Sequence, residues 1–116
     1  MPNFVLIFRQ GPHPLTEADQ ARRQREISAW AREQNAAGHR LEPRILREEA
    51  RRLDDVVLNA GGAGPGTWPL TALVFIEARD LDEAVGIAAV HPGRRFGVSI
   101  EVRPWGPPVL AAAAAP

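Results

Sequence analysis

The stretch TALVFIEARDLDEAVGIAAVHPGRRFGVSIEVRPW, residues 71–105, reads as strand, helix and strand. Its first segment, 72–78, is apolar on both alternating sets. Leu73 and Phe75 point one way and Ala72, Val74 and Ile76 the other, so this strand is covered on both faces. Asp80 then offers an N-cap oxygen, and Glu83 three residues later completes a capping-box spacing that opens a helix. Leu81, Ala84, Val85 and Ala88 are expected to form its buried stripe. Pro92 cannot continue the helix, and Gly93 suits a left-handed turn after it. In the closing strand, 97–103, Val98, Ile100 and Val102 alternate with Ser99, Glu101 and Arg103, which leaves one dry face.

Upstream, FVLIF at 4–8 is a second uninterrupted run of strand formers, again buried on both sides. Gly11, Pro12 and Pro14 break it, and Thr16 with Asp19 opens a first helix that runs to about Ala37 and stops at Gly38. At about 100° per residue, Ile27, Trp30, Ala31 and Ala37 of that helix share an arc with Gln20, Arg23, Gln24 and Gln34. Polar groups on an inner face need partners or water. Either the first turns overhang the sheet and are wet, or they line a ligand pocket between helix and sheet.

Residues 41–60 suit a strand pair, Leu41, Pro43 and Ile45 in one member and Val56 to Leu58 in the other, although Ile45, Leu46, Ala50 and Leu53 also fit a helix. GGAGPGTWP at 61–69 is a flexible loop by composition. Residues 106–116 read as a disordered Pro/Ala-rich tail after one domain spanning 1–105.

The elements therefore run strand, helix, strand, strand, helix, strand. That is the split βαβ order of a ferredoxin-like α+β sandwich, a four-stranded antiparallel sheet with two helices on one face. The first and third strands become the inner pair, which agrees with their double apolar faces. The uncovered sheet face still carries apolar residues, and a homodimer packed sheet against sheet would cover it.

A chain of 116 residues holds one domain. The 14 basic residues, all arginine, balance 14 acidic ones, so no basic patch points to nucleic acid. Without lysine there is no lysine Schiff base, and without cysteine no thiol nucleophile, thiolate metal site or disulfide. No apolar run approaches the ~20 residues of a membrane span, and the opening residues are too short for a signal peptide's hydrophobic region, so the expected location is cytoplasmic.

Phe4 to Phe8, Trp30, Ala36-Ala37-Gly38, Leu41-Glu42-Pro43, Phe75-Ile76-Glu77-Ala78, Asp80-Leu81-Asp82-Glu83-Ala84, Ala88-Ala89, His91-Pro92 and Glu101-Val102-Arg103-Pro104 occur in an order that resembles the YCII-related, or DGPF, family. The resemblance covers nearly the whole chain and implies a dimeric α+β barrel. Where that family's Asp-Gly-Pro-Phe motif falls, this chain has Ala60-Gly61-Gly62-Ala63, and the first-helix histidine of its enzyme-like branches falls close to Ile27. The resemblance therefore carries over no acid–base mechanism.

His91, beside Pro92, is the most conspicuous titratable residue. It is either a general acid or base, or a structural group at the helix end that complements the dipole or caps a carbonyl. Asp80 cannot form a dyad with it, because eleven helical residues at ~1.5 Å each separate the two by roughly 16 Å. His39 is a weaker catalytic candidate, and His13 reads as a loop residue. Three scattered histidines with no motif spacing give no metal site, and no cofactor is expected. Arg9, at a strand end, is a candidate for an anionic ligand group. Gln24 and Trp30 are candidates on the first helix, and Trp68 in the glycine loop for closing over a ligand or sitting at a dimer interface. The sequence thus points to a small homodimer binding a small, largely apolar molecule between helices and sheet. The alternatives are an isomerase-, lyase- or hydrolase-type acid–base enzyme and a structural partner of another protein.

Overall fold

The computed structural model describes residues 1–51, 53 and 64–108. In chain order its elements are β1 (Asn3–Gln10), α1 (Glu17–Ala36), β2 (Glu42–Ile45), β3 (Leu70–Glu77), α2 (Leu81–Ala89) and β4 (Val98–Pro104), with 3-10 turns at Pro65–Thr67 and Pro92–Phe96. The strands form one antiparallel sheet in the order β2-β3-β1-β4. This is the ferredoxin-like α+β arrangement, and the two strands with double apolar faces are its inner pair. Among the described residues no helix is long and apolar enough to cross a membrane.

The core lies between sheet and helices. Phe4, Leu6 and Phe8 of β1 and Val74 and Ile76 of β3 meet Trp30 of α1 and Ala84, Ile87 and Ala88 of α2. Leu6 and Ile76 are fully buried, each contributing about 1.5–3 kcal/mol of transfer free energy. Val98, Ile100 and Val102 of β4 pack against the same cluster, so its dry face is the one the alternation indicates.

The helix ends are secured as their sequences dictate. Thr16 Oγ1 accepts from Asp19 N at 3.0 Å. At the other end of α1 the amides of Gly38 and His39 donate to the carbonyls of Asn35 and Gln34, a Schellman pattern that requires the left-handed φ of 93° taken by Gly38. At α2, Asp80 Oδ1 accepts from Glu83 N at 2.8 Å. The Glu83 carboxylate reaches one residue further back than a capping box requires and accepts from Arg79 N.

Two expectations need correction. The buried stripe of α2 is Ala84, Ile87 and Ala88, while Leu81 and Val85 are exposed. Ile87 packs into the core cluster beside Trp30, whose indole donates to the Ile87 carbonyl at 3.2 Å. The left-handed glycine near the helix end is Gly97, with φ of 82°, and not Gly93. In 41–60 the first strand forms as β2 and pairs with β3 at the sheet edge, and 46–51 hold no regular element. Its proposed partner at 56–58 and most of the 106–116 tail lie outside the described residues. The described end of the 61–69 loop contains a 3-10 turn at Pro65–Thr67.

The ladder between β1 and β3 is irregular at one point. Phe8 faces Ala72 and Arg9 faces Leu70, so Thr71 is skipped as a bulge. Its hydroxyl donates to the Phe8 carbonyl at 3.4 Å.

Candidate functional site

The first turns of α1 stand over the end of the sheet where β1 finishes and β4 begins, and a cleft of about 580 Å³ opens between them. Phe8, Val98 and Ile27 supply its apolar floor, and Gln20, Arg23 and Gln24 of α1 form one wall. Gln10, Thr71, His91 and Gly93 complete the inner surface, with His13, Leu15 and Ile45 at the rim. A cleft of this size lies within the ~300–1,000 Å³ that small-molecule sites occupy. The polar residues that share the inner arc of α1 thus divide. Gln20, Arg23 and Gln24 come to the cleft, while Gln34 is buried further along the helix.

Several of these groups are braced by others. Gln10 Nε2 donates to the Phe96 carbonyl at 3.2 Å, and Gln10 Oε1 accepts from Arg23 Nη1 at 3.3 Å. The strand-end amide therefore holds the guanidinium by its neutral oxygen. Gln20 Nε2 donates to Leu15 O at 3.4 Å. Gln24 makes no hydrogen bond to the described residues, so its amide is available to the cleft. Among the described residues no carboxylate lines the cleft.

His91 is 6% exposed, wedged against Phe8 with ring centroids 4.8 Å apart and against Trp30 at 4.6 Å. It is the N-cap of the Pro92–Phe96 turn: its Nδ1 accepts from Gly93 N at 2.9 Å. A ring nitrogen that accepts carries no proton, so the neutral imidazole bears its hydrogen on Nε2. Burial pushes the pKa of His91 down from 6.5 to about 4, because the charged form loses its hydration in this apolar surround. The structural role is therefore not capping a carbonyl or complementing a helix C-terminus; the side chain accepts from an amide while uncharged. Gly93 permits this approach, since a Cβ there would fall 2.9 Å from both Cε1 and Nδ1 of the ring.

The carbonyls that α2 leaves free are satisfied around the same point. Ile87 O accepts from the Trp30 indole, Ala88 O from His91 N and Ala89 O from Arg94 Nη1. His91 also borders a second hollow of about 450 Å³ with Ala89, Val90, Arg94 and Arg95. There Arg94 is committed to the Ala89 carbonyl and Arg95 to the Glu26 carboxylate.

Of the residues singled out from sequence, His91 and Gln24 meet at the cleft, and Trp30 stands behind His91 as part of the core. His39 lies at the opposite end of the sheet, where its Nδ1 is 3.0 Å from the Glu77 carbonyl oxygen. Glu77 faces Asn3 at the start of β1, so roughly seven residues at ~3.4 Å, about 24 Å of strand, separate that end from Gln10. Arg9 donates to the Trp68 carbonyl at 3.3 Å, and the Trp68 ring lies over Gly11; neither lines the cleft. Glu101 pairs with Arg103 on the sheet face away from the helices.

Gln10, Thr71 and Gly93 are lining residues that sequence reading missed. Gln10 reads as an ordinary strand end, and nothing in the local pattern announces a bulge at Thr71. Gly93 did carry a signal, a glycine two residues after a histidine, but it indicates turn geometry as readily as close approach. The chain matches no family model, and no curated protein matches it.

Proposed function

We propose that this chain is a small YCII-related homodimeric protein that binds a small molecule with a largely apolar body in the cleft between α1 and the sheet. The observation that carries the reading is the cleft itself: an apolar floor beneath the uncommitted Gln24 amide, with the His91 ring on its inner surface and that ring's Nε2–H bonded to no described residue. Groups of this kind orient a ligand while the floor holds its body. Binding is preferred over acid–base catalysis because His91 is neutral well below pH 7 and no carboxylate among the described residues lines the cleft to share its proton. The test is a panel of small aromatic and aliphatic fragments followed by ¹H–¹⁵N NMR. Shifts confined to Gln24, Ile27 and His91 are expected; a panel that moves none of them rules the reading out.

The homodimer is supported by the sheet face that carries no helix. Val5, Ile7, Leu73 and Phe75 occupy its centre by strand alternation, and Trp105 packs edge-on to Phe75 at 5.2 Å while remaining 47% exposed. Glu42–Arg44 and Glu101–Arg103 ion pairs lie on the two edge strands. A second copy placed against this face meets both signs of charge at its rim and apolar groups at its centre. Sedimentation should give twice the 12.7 kDa chain mass, and Phe75→Glu should return it to 12.7 kDa. A wild-type mass of one chain at micromolar concentration refutes the dimer.

A further inference from the structure

The donor set of the cleft identifies the head group of its ligand. We propose that the cleft receives a monocarboxylate with a compact apolar body, its carboxylate held by the Arg23 guanidinium and the Nε2–H of His91. This rests on the cleft being a binding site.

The first ground is the charge of the lining. Among the described residues Arg23 is its one arginine, and no aspartate or glutamate accompanies it. Elsewhere on the described surface, Arg22 and Arg95 pair with Glu26, Arg40 with Glu77, and Arg79 with Asp80 and Glu83, while Arg9 and Arg94, which also lack a carboxylate, are tied to main-chain carbonyls. Arg23 has no carboxylate partner among the described residues; its guanidinium is held by the neutral Oε1 of Gln10 alone. Gln10 is in turn tied to the Phe96 carbonyl. The guanidinium is thus oriented without being neutralised, and its remaining N–H groups can receive a carboxylate in a two-pronged contact.

The second ground is the fixed tautomer of His91. With Nδ1 occupied by the Gly93 amide, the ring that lines the cleft keeps one hydrogen-bonding group, the Nε2–H, which is a donor. Every hydrogen-bonding group of the Arg23 side chain is likewise a donor. Two donor-only groups on one cleft select a ligand rich in acceptors.

The third ground is the number of charges. The imidazole contributes a hydrogen bond and no charge, so Arg23 is the fixed cation that balances the ligand. One cation suits a monoanion; a phosphate dianion or a dicarboxylate would bring a second charge onto an apolar floor of Phe8, Ile27 and Val98. The same floor discriminates against acetate-sized anions, which leave it wet.

The experiment uses the full chain and four probes: benzoate, benzamide, acetate and inorganic phosphate. Binding is followed by the ¹H–¹⁵N signals of the Gln24 side-chain amide and the His91 Nε2–H. A charged acceptor on Arg23 should give benzoate about tenfold tighter binding than benzamide. Arg23→Gln should bring the two within about twofold, with an unchanged unfolding midpoint because Arg23 is only half-buried at the surface. Acetate and phosphate should bind more weakly than benzoate. Equal binding of benzamide and benzoate by the wild type, or a preference that survives Arg23→Gln, overturns the carboxylate while leaving the binding site standing. Phosphate competing on a par with benzoate overturns the monoanion and its apolar body. If no probe moves either signal, the carboxylate proposal and the binding reading fall together.

Discussion

Acid should destabilise this fold through His91, by an amount set by the burial of its ring. The imidazole is buried between Phe8 and Trp30, and burial takes its pKa from 6.5 to about 4. The arginines that border its two hollows, Arg23, Arg94 and Arg95, are all positive and do nothing to favour the imidazolium. Because the folded pKa is the lower one, the unfolded chain binds more protons between the two values. The associated stability is fully present above the unfolded pKa of 6.5, is lost as pH falls, and is exhausted below about 4. At about 1.36 kcal/mol per pKa unit, the whole window is worth ~3 kcal/mol, of which about 2 kcal/mol goes between pH 7 and pH 5. Carboxylates titrate at the lower edge of the same range, so the informative quantity is a difference. His91→Asn keeps an acceptor near the Nδ1 position for the Gly93 amide and cannot take up a proton. It should cost a pH-independent increment for the lost ring packing. Urea unfolding of both proteins at several pH values from about 7 to about 4.5 isolates the histidine. The gap between wild type and variant should close by about 2 kcal/mol as the pH drops to about 5. A gap that stays constant across the range would falsify the assignment of the neutral buried imidazole.

Gly93→Ala should press a methyl group to 2.9 Å from the His91 ring, which Phe8 and Trp30 prevent from yielding; a loss of about 1–3 kcal/mol is expected in denaturant unfolding, with the histidine pKa moving back toward 6.5. An unaltered pKa in that variant, read by NMR titration, counts against the contact. Trp30→Phe removes the indole donor and leaves Ile87 O without it at the end of α2, at a cost of about 1–3 kcal/mol with faster hydrogen exchange in the last turn of that helix. Asp80→Ala should weaken the same helix from its other end by about 0.5–2 kcal/mol, measured as a lower urea midpoint with an unchanged m-value.

The order and pairing of the strands are legible in the sequence because the relevant signals are periodic and local. Val74 and Ile76 on one face of a strand, with Leu73 and Phe75 on the other, require cover on both sides, and the inner position of β3 follows. Asp80 with Glu83, Thr16 with Asp19, and Gly38 act within a few residues of themselves, so they set helix ends to within a residue or two. The buried stripe of α2 is not legible in the same way, because Leu81 and Val85 are as apolar as Ile87. What distinguishes them is which side chain meets the sheet and Trp30, a tertiary contact invisible to a helical wheel. His91 stands out in the sequence for the wrong neighbour: the end of α2 suggests a charged group, whereas Gly93, Phe8 and Trp30 make it neutral. The cleft is half legible. Gln20, Arg23 and Gln24 are out of place on an inner arc, but the floor beneath them is assembled from β1 and β4, and their convergence is a property of the sheet.

The skipped residue in β3 gives this architecture an unusual way to vary. Because Thr71 lies outside the β1 ladder while Leu70 and Ala72 keep their partners Arg9 and Phe8, losing that one residue would leave the β1 pairing in register while removing a hydroxyl from the cleft wall and the carbonyl that accepts from Leu46 N beyond β2. Chain length at a single position, independent of any substitution, can therefore change the chemistry the cleft presents. Descendants of this sequence could diversify in specificity by gaining or dropping one residue in a strand, where such changes are ordinarily ruinous.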